Sequence, residues 1–201
     1  GSVHKLLWNI YLKEEDFTKA WGHFDGRLDE DNFVYKNETY NLIKSKLLLQ
    51  RKIDPKKQLL IIREQGVGDE LLYGTMYKDV LDKYENIFIE ADERLIDLFA
   101  NSFGKQHLNK FKKFGFFSKN ENKLKNIDQV LYAGSLGYYF RNKLTDFPNK
   151  GYLKIDQALI NATKEELFNY KKKYKIGISW KSLNNKYAEQ KSLSLNRLKN
   201  L

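Results

Sequence analysis

Four consecutive large apolar residues, Leu59, Leu60, Ile61 and Ile62, run directly into the segment REQGVGDELLYG, and this junction restricts the possible folds more than any other stretch. A strand with one wet face alternates apolar and polar residues, whereas an unbroken aliphatic run suits a strand covered on both faces, as in a parallel α/β sheet. Gly66 and Gly68 free the backbone for a sharp turn or for the close approach of a ligand. Asp69 and Glu70 stand where a helical pattern begins (Leu71, Leu72, Met76, Val80, Leu81), and their charges suit the positive end of a helix. The junction therefore predicts a carboxylate at the carboxyl end of a central strand, the edge where open α/β sheets bind ligands. The same spacing fits a plain cap, with Asp69 accepting backbone N–H bonds. The loop lacks the lysine of GxxxxGK[ST] and does not complete GxGxxG, so neither a P-loop ATPase nor a dinucleotide enzyme is supported.

Similar units recur downstream. Ile87, Phe88 and Ile89 read as a second strand ending at Glu90 and Ala91, and residues 92–101 carry Leu95, Ile96, Leu98 and Phe99 in helical spacing. Val130, Leu131 and Tyr132 form another strand, followed by the loop Ala133 to Gly137 and a helix through Tyr138, Phe140 and Leu144. Such alternation predicts right-handed crossovers and a parallel sheet. The GSLG loop would then offer backbone N–H groups and the Ser135 hydroxyl on the same edge as Asp69, although a plain glycine turn accounts for it too. Residues 103–125 interleave aromatics (Phe111, Phe114, Phe116, Phe117) with lysine, as a surface segment, a short strand or a platform for stacking bases would. Residues 42–49 are apolar and fit helix or strand, 146–162 read as an irregular connector, and 164–173 as a charged helix.

Before the sheet, residues 4–28 read as two helices, with Phe17, Ala20, Trp21, Phe24 and Leu28 on one face of the second. The Leu7, Tyr11, Ala20, Phe24 spacing resembles a tetratricopeptide repeat, with Trp8 and Arg27 where that pattern has a glycine and a small residue. A single repeat does not bury its own face. It either docks on the α/β domain or ends an array.

The chain has 201 residues, 41% of them hydrophobic and 14% aromatic, enough for one main domain with a smaller attachment. A net charge of +10 permits nucleic acid, anionic lipid or a phosphorylated ligand as a partner, but the lysines are spread along the whole sequence and do not favour a dedicated nucleic-acid surface. The absence of cysteine removes disulfides, thiolate metal sites and cysteine nucleophiles. His4, His23 and His107 form no metal-binding pattern. No apolar run approaches the ~20 residues of a membrane span and no signal peptide is visible, so the chain reads as cytoplasmic. Gly1 and Ser2 read as an expression remnant. Near the end, KIGISW (175–180) reads as one more strand, the opening of a second α/β domain whose remainder is missing. Its unpaired edge predicts strand swapping into a homo-oligomer, or disorder beyond about Lys181.

Taken in order, FTKAWGHFDGRL, REQGVGDELLYG, IEADERLIDLFANSF, YAGSL and KIGISWKS resemble bacterial proteins that join tetratricopeptide repeats to a GT-B-type glycosyltransferase region. The resemblance implies a Rossmann-like parallel sheet flanked by helices, the N-terminal half of a GT-B fold, preceded by a repeat-like helix pair. It divides the chain into a helical hairpin (3–28), a connector (29–57), the α/β domain (58–173) and the start of a second domain (174–201). More distantly, the strand and GVGD are similar to the first loop of lipopolysaccharide heptosyltransferases, whose aspartate is the base that activates the acceptor hydroxyl. That likeness nominates Asp69 as base, Gln65, Gly66 and Gly68 as shaping the acceptor pocket, and Ser135 as lining it. Lys181, Ser182 and Lys191 would approach the phosphate of a nucleotide-sugar donor, with no metal and no further cofactor. The resemblance thus implies the acceptor-binding half of a glycosyltransferase, inactive alone, acting on a sugar or protein acceptor. The alternative is a non-catalytic module that binds a protein partner through the helix pair.

Overall fold

The computed structural model describes residues 2–28 and 37–168, with positions 178–179, 192–194 and 196 beyond them. The chain divides into two compact units, 1–157 and 158–201; the sheet and its flanking helices belong to the first, and the described part of the second is the helix that begins at Gln157, with a few isolated positions beyond it. Its centre is a four-stranded, all-parallel sheet made of β1 (Leu59–Ile62), β2 (Ile87–Ala91), β3 (Phe111–Lys113) and β4 (Gln129–Tyr132), in the order β3-β2-β1-β4. All four residues of β1 are buried, as the aliphatic run requires of a strand paired on both sides, with Leu60 opposite Phe88 of β2 and Val130 of β4.

Alternation along the strands sorts the core into two layers. Leu59 and Ile61, with Ile87, Ile89, Ala91, Phe111 and Leu131, meet α4 (Val67–Tyr73), α5 (Tyr77–Lys83) and α6 (Glu93–Phe103) through Tyr73, Tyr77, Val80, Leu95 and Phe99. Leu60 and Ile62, with Val130 and Tyr132, meet Ile43 of α3 (Asn37–Lys46), Leu124 of α7 (Glu121–Lys125), Phe117 and Ile127 on the other face. The crossovers from β1 to β2 and from β2 to β3 therefore lie on one face, and the return from β3 to β4 lies on the other.

Several segments depart from their expected form or settle an open one. The apolar stretch 42–49 serves both ways: α3 ends at Lys46, and Leu47 then bridges Val130 in parallel, with the Leu48 amide on the Val130 carbonyl at 2.9 Å. The Lys46 ammonium donates to the carbonyls of Leu124, Lys125 and Ile127, tying the end of α3 to the end of α7. Residues 103–125 supply the edge strand β3 and the short helix α7. The connector expected to reach residue 162 is overrun by α8 (Gln157–Phe168), whose Ala158, Leu159, Ala162 and Glu165 are good helix formers. The helix expected over 164–173 is seen to Phe168; residues 169–173, and the strand expected at 175–180 apart from 178–179, lie outside the described residues.

The N-terminal helices α1 (Ser2–Lys13) and α2 (Phe17–Phe24) pack as a pair, with Trp8 against Phe24 at 4.8 Å between ring centroids. Asp16 caps α2 by accepting the Lys19 amide at 3.1 Å. Phe17, Ala20 and Trp21 turn inward, and the pair docks on the sheet unit. The Trp21 indole donates to the Arg141 carbonyl at 2.6 Å, Gln50 donates to the Gly22 carbonyl at 2.7 Å, and Phe17 meets Phe147.

Candidate functional site

The order β3-β2-β1-β4 reverses its direction of growth between β1 and β4, so the carboxyl ends of these two strands mark the place where an open sheet binds its ligands. Both glycine loops stand there. In the first, neither glycine supplies the left-handed turn: Gln65 does, at φ 62°, a conformation that costs a residue with a Cβ ~1–2 kcal/mol. Gly66 is the extended N-cap of α4, and a Cβ on Gly68 would meet nothing within 4 Å. Gln65, Gly66 and Gly68 are all exposed. Asp69, half-buried in the first turn of α4, accepts the Gly66 amide on Oδ2 at 3.1 Å. It therefore closes its own helix turn while standing on the ligand edge, and among the described residues that amide is its one hydrogen-bond partner.

The second loop is covered. Gly134 donates its amide to Glu64 Oε1 at 2.6 Å, and Glu64, at the end of β1, is 5% exposed. Arg27, which follows α2, grips the same carboxylate with two nitrogens, Nε on Oε2 at 2.9 Å and Nη2 on Oε1 at 2.6 Å. Its guanidinium also reaches Asp25 at 3.0 Å and lies 3.9 Å from the centroid of the Phe24 ring. Ser135 completes the cluster, donating to Asp25 Oδ1 at 2.6 Å and accepting from Arg27 Nη2 at 3.1 Å. A Cβ on Gly134 would fall 2.6 Å from Glu64 and 2.9 Å from Arg27, and one on Gly137 would fall 2.5 Å from Trp21. The two glycines thus leave room for the docked helix pair.

A second ionic cluster lies toward β2. Arg63 Nε pairs with Oε2 of the fully buried Glu70 at 2.7 Å, and Glu70 Oε1 accepts the Asp92 amide at 2.8 Å. Asp92 caps α6 and binds the side chain of Arg94 at 2.8 Å. The Arg94 hydrogen bond is the largest influence holding the Asp92 carboxyl down at about 2, whereas burial pushes that of Glu70 up. Burial, reinforced by the nearby Glu64 carboxylate, drives the Tyr73 hydroxyl up to about 12, so it stays protonated beside the site.

The nominated residues accordingly fall in three places. Gln65, Gly66, Gly68 and Asp69 form one accessible loop, Ser135 is buried beneath the helix pair, and Lys181, Ser182 and Lys191 lie outside the described residues. Asp25, Glu64 and the ionic role of Arg27 carry no motif in the sequence. The available signal was Arg27 itself, a large cation where the repeat pattern has a small side chain. Among the described residues, no three histidine, cysteine, aspartate or glutamate side chains are grouped so as to hold a metal ion, and no helix is long and apolar enough to cross a membrane.

No family model and no solved structure matches this chain. Over 137 residues, 63% of the chain, it is 26% identical to Protein FlbA of Caulobacter vibrioides. The matched stretch is 23% of that protein's length, so the chain is similar to a minor part of a much longer polypeptide.

Proposed function

We propose that this chain is the acceptor-binding part of a larger glycosyltransferase-like protein of GT-B type, with a repeat-like helix pair on its N-terminal side and Asp69 as the base. The observation that carries the reading is the placement of Asp69: a half-buried carboxylate on the ligand edge of a parallel sheet, next to a glycine with open space above it. A base must come within ~2.6–3.2 Å of the acceptor hydroxyl to take its proton as the sugar bond forms. Gln65 offers an exposed amide to neighbouring hydroxyls, and Gly68 lets the acceptor approach the main chain. The donor, a nucleotide sugar, belongs to the second domain.

One observation favours a non-catalytic reading. The helix pair fills the switch point with Phe24 and Arg27 and engages the Ser135 hydroxyl, as an interaction module with a closed crevice would.

Ligand-observed NMR with a panel of sugars separates the two readings. Under the enzyme reading a sugar binds, Asp69→Asn weakens it, and Gly68→Ala abolishes it while leaving the fold intact, since a Cβ there meets nothing within 4 Å. Absence of sugar binding by this chain and by the full-length protein would favour the interaction module.

A further inference from the structure

Away from the ligand edge, toward the amino ends of β1 and β4, lies a cleft of about 300 Å³, lined by Gln58, Phe88, Lys112, Phe116, Lys123 and Asn126 and floored by Phe117 and Ile127. Among the described residues the second face of the sheet is unevenly covered: α3 lies over β4, and the 114–127 crossover arches over β2 and β3. Small-molecule sites begin at about this volume (~300 Å³), which limits an occupant to roughly one ring system with one substituent.

Its lining is chemically specific. Three phenylalanines supply an apolar aromatic wall, and the ammonium groups of Lys112 and Lys123 stand 5.8 and 4.7 Å from the centroid of one ring, Phe116. Lys112 lies 5.4 Å from the Phe88 ring as well. Among the described residues neither lysine has a carboxylate partner; Lys112 Nζ donates to the Asn109 carbonyl, which leaves its charge unneutralised. Burial, with a further push from the Lys123 charge, lowers the Lys112 ammonium below its ordinary value, a cost that an anion between the two would relieve. Among the described residues the buried side-chain nitrogen of Gln58 has no hydrogen-bond partner, so turning it toward the cleft sacrifices none there. We propose that this cleft binds a small planar aromatic anion, its ring against Phe88 and Phe116 and its phosphate or carboxylate between Lys112 and Lys123.

Two sources of that chemistry, a nucleoside monophosphate and a simple aryl phosphate, are separable by titration. Phenyl phosphate, adenosine monophosphate, inorganic phosphate and benzyl alcohol would each be added to the labelled chain, followed through backbone amides of residues 88 and 112–127. The expected result is saturable binding of phenyl phosphate, adenosine monophosphate or both, at least tenfold tighter than inorganic phosphate or benzyl alcohol. The tighter of the two names the source. Lys123→Gln, a change at an exposed position, should weaken binding at least tenfold with the fold intact by circular dichroism, and Phe88→Leu should do so while sparing the weak response to inorganic phosphate. Asp69→Asn should change nothing here, which keeps this site distinct from the sugar site. Phosphate binding as tightly as phenyl phosphate, or affinity untouched by Lys123→Gln, would overturn the proposal.

Discussion

Arg27 is the residue on which the docking of the helix pair concentrates its charge. A guanidinium bound by two nitrogens to a buried carboxylate has little alternative solvation, so removing one partner leaves the other desolvated. Arg27→Met is expected to destabilise the chain by ~3–5 kcal/mol, with Glu64→Met also costly, whereas the paired Arg27→Met, Glu64→Met replacement should cost far less than the sum. Urea unfolding of the four proteins measures this, and strict additivity would refute the coupling. Asp92 gives a second prediction at this scale. Its folded value of about 2 lies below the ~3.9 of an unfolded aspartate, so its stabilising contribution is complete above pH ~4 and disappears as pH falls through about 2. In the Asp92→Asn protein the urea midpoint should fall less steeply across that interval, and parallel acid limbs would contradict the assignment.

Among the elements, the strands were the most legible. An aliphatic run bounded by a charged turn has few other solutions, and β1, β2 and β4 appear where the periodicity predicts them. The edge strand β3 was ambiguous because Phe111, Lys112 and Lys113 bury one side chain out of three, too short a pattern to distinguish from a loop. The glycine loops were visible, but what surrounds them was not. Asp69 is close in sequence to the groups that hold it, whereas Ser135 meets Asp25 and Arg27 across more than a hundred residues, and no local pattern announces such a partner. Gly137 tests the contact between elements: a methyl there collides with the Trp21 indole. Gly137→Ala should undock α2, seen as a red shift of tryptophan emission and earlier proteolysis near residue 28, and unchanged emission would show that the indole yields without undocking.

For the whole molecule, the sheet unit is built outward from β1, and a segment made before the sheet is fastened to one made after most of it. The bond from Trp21 to the Arg141 carbonyl spans 120 residues, and that from Ser135 to Asp25 spans 110. A ribosome adds ~5–20 residues per second, so the helix pair emerges on the order of ten seconds before the surface it will cover exists. During that interval Trp21 lacks the Arg141 carbonyl and Arg27 lacks the Ser135 hydroxyl, although Phe24 already has Trp8 to pack against. The order of synthesis therefore makes the helix pair settle only after the later-made β4 loop, and a nascent chain halted before residue 134 should expose its docking face to any chaperone that recognises apolar helices.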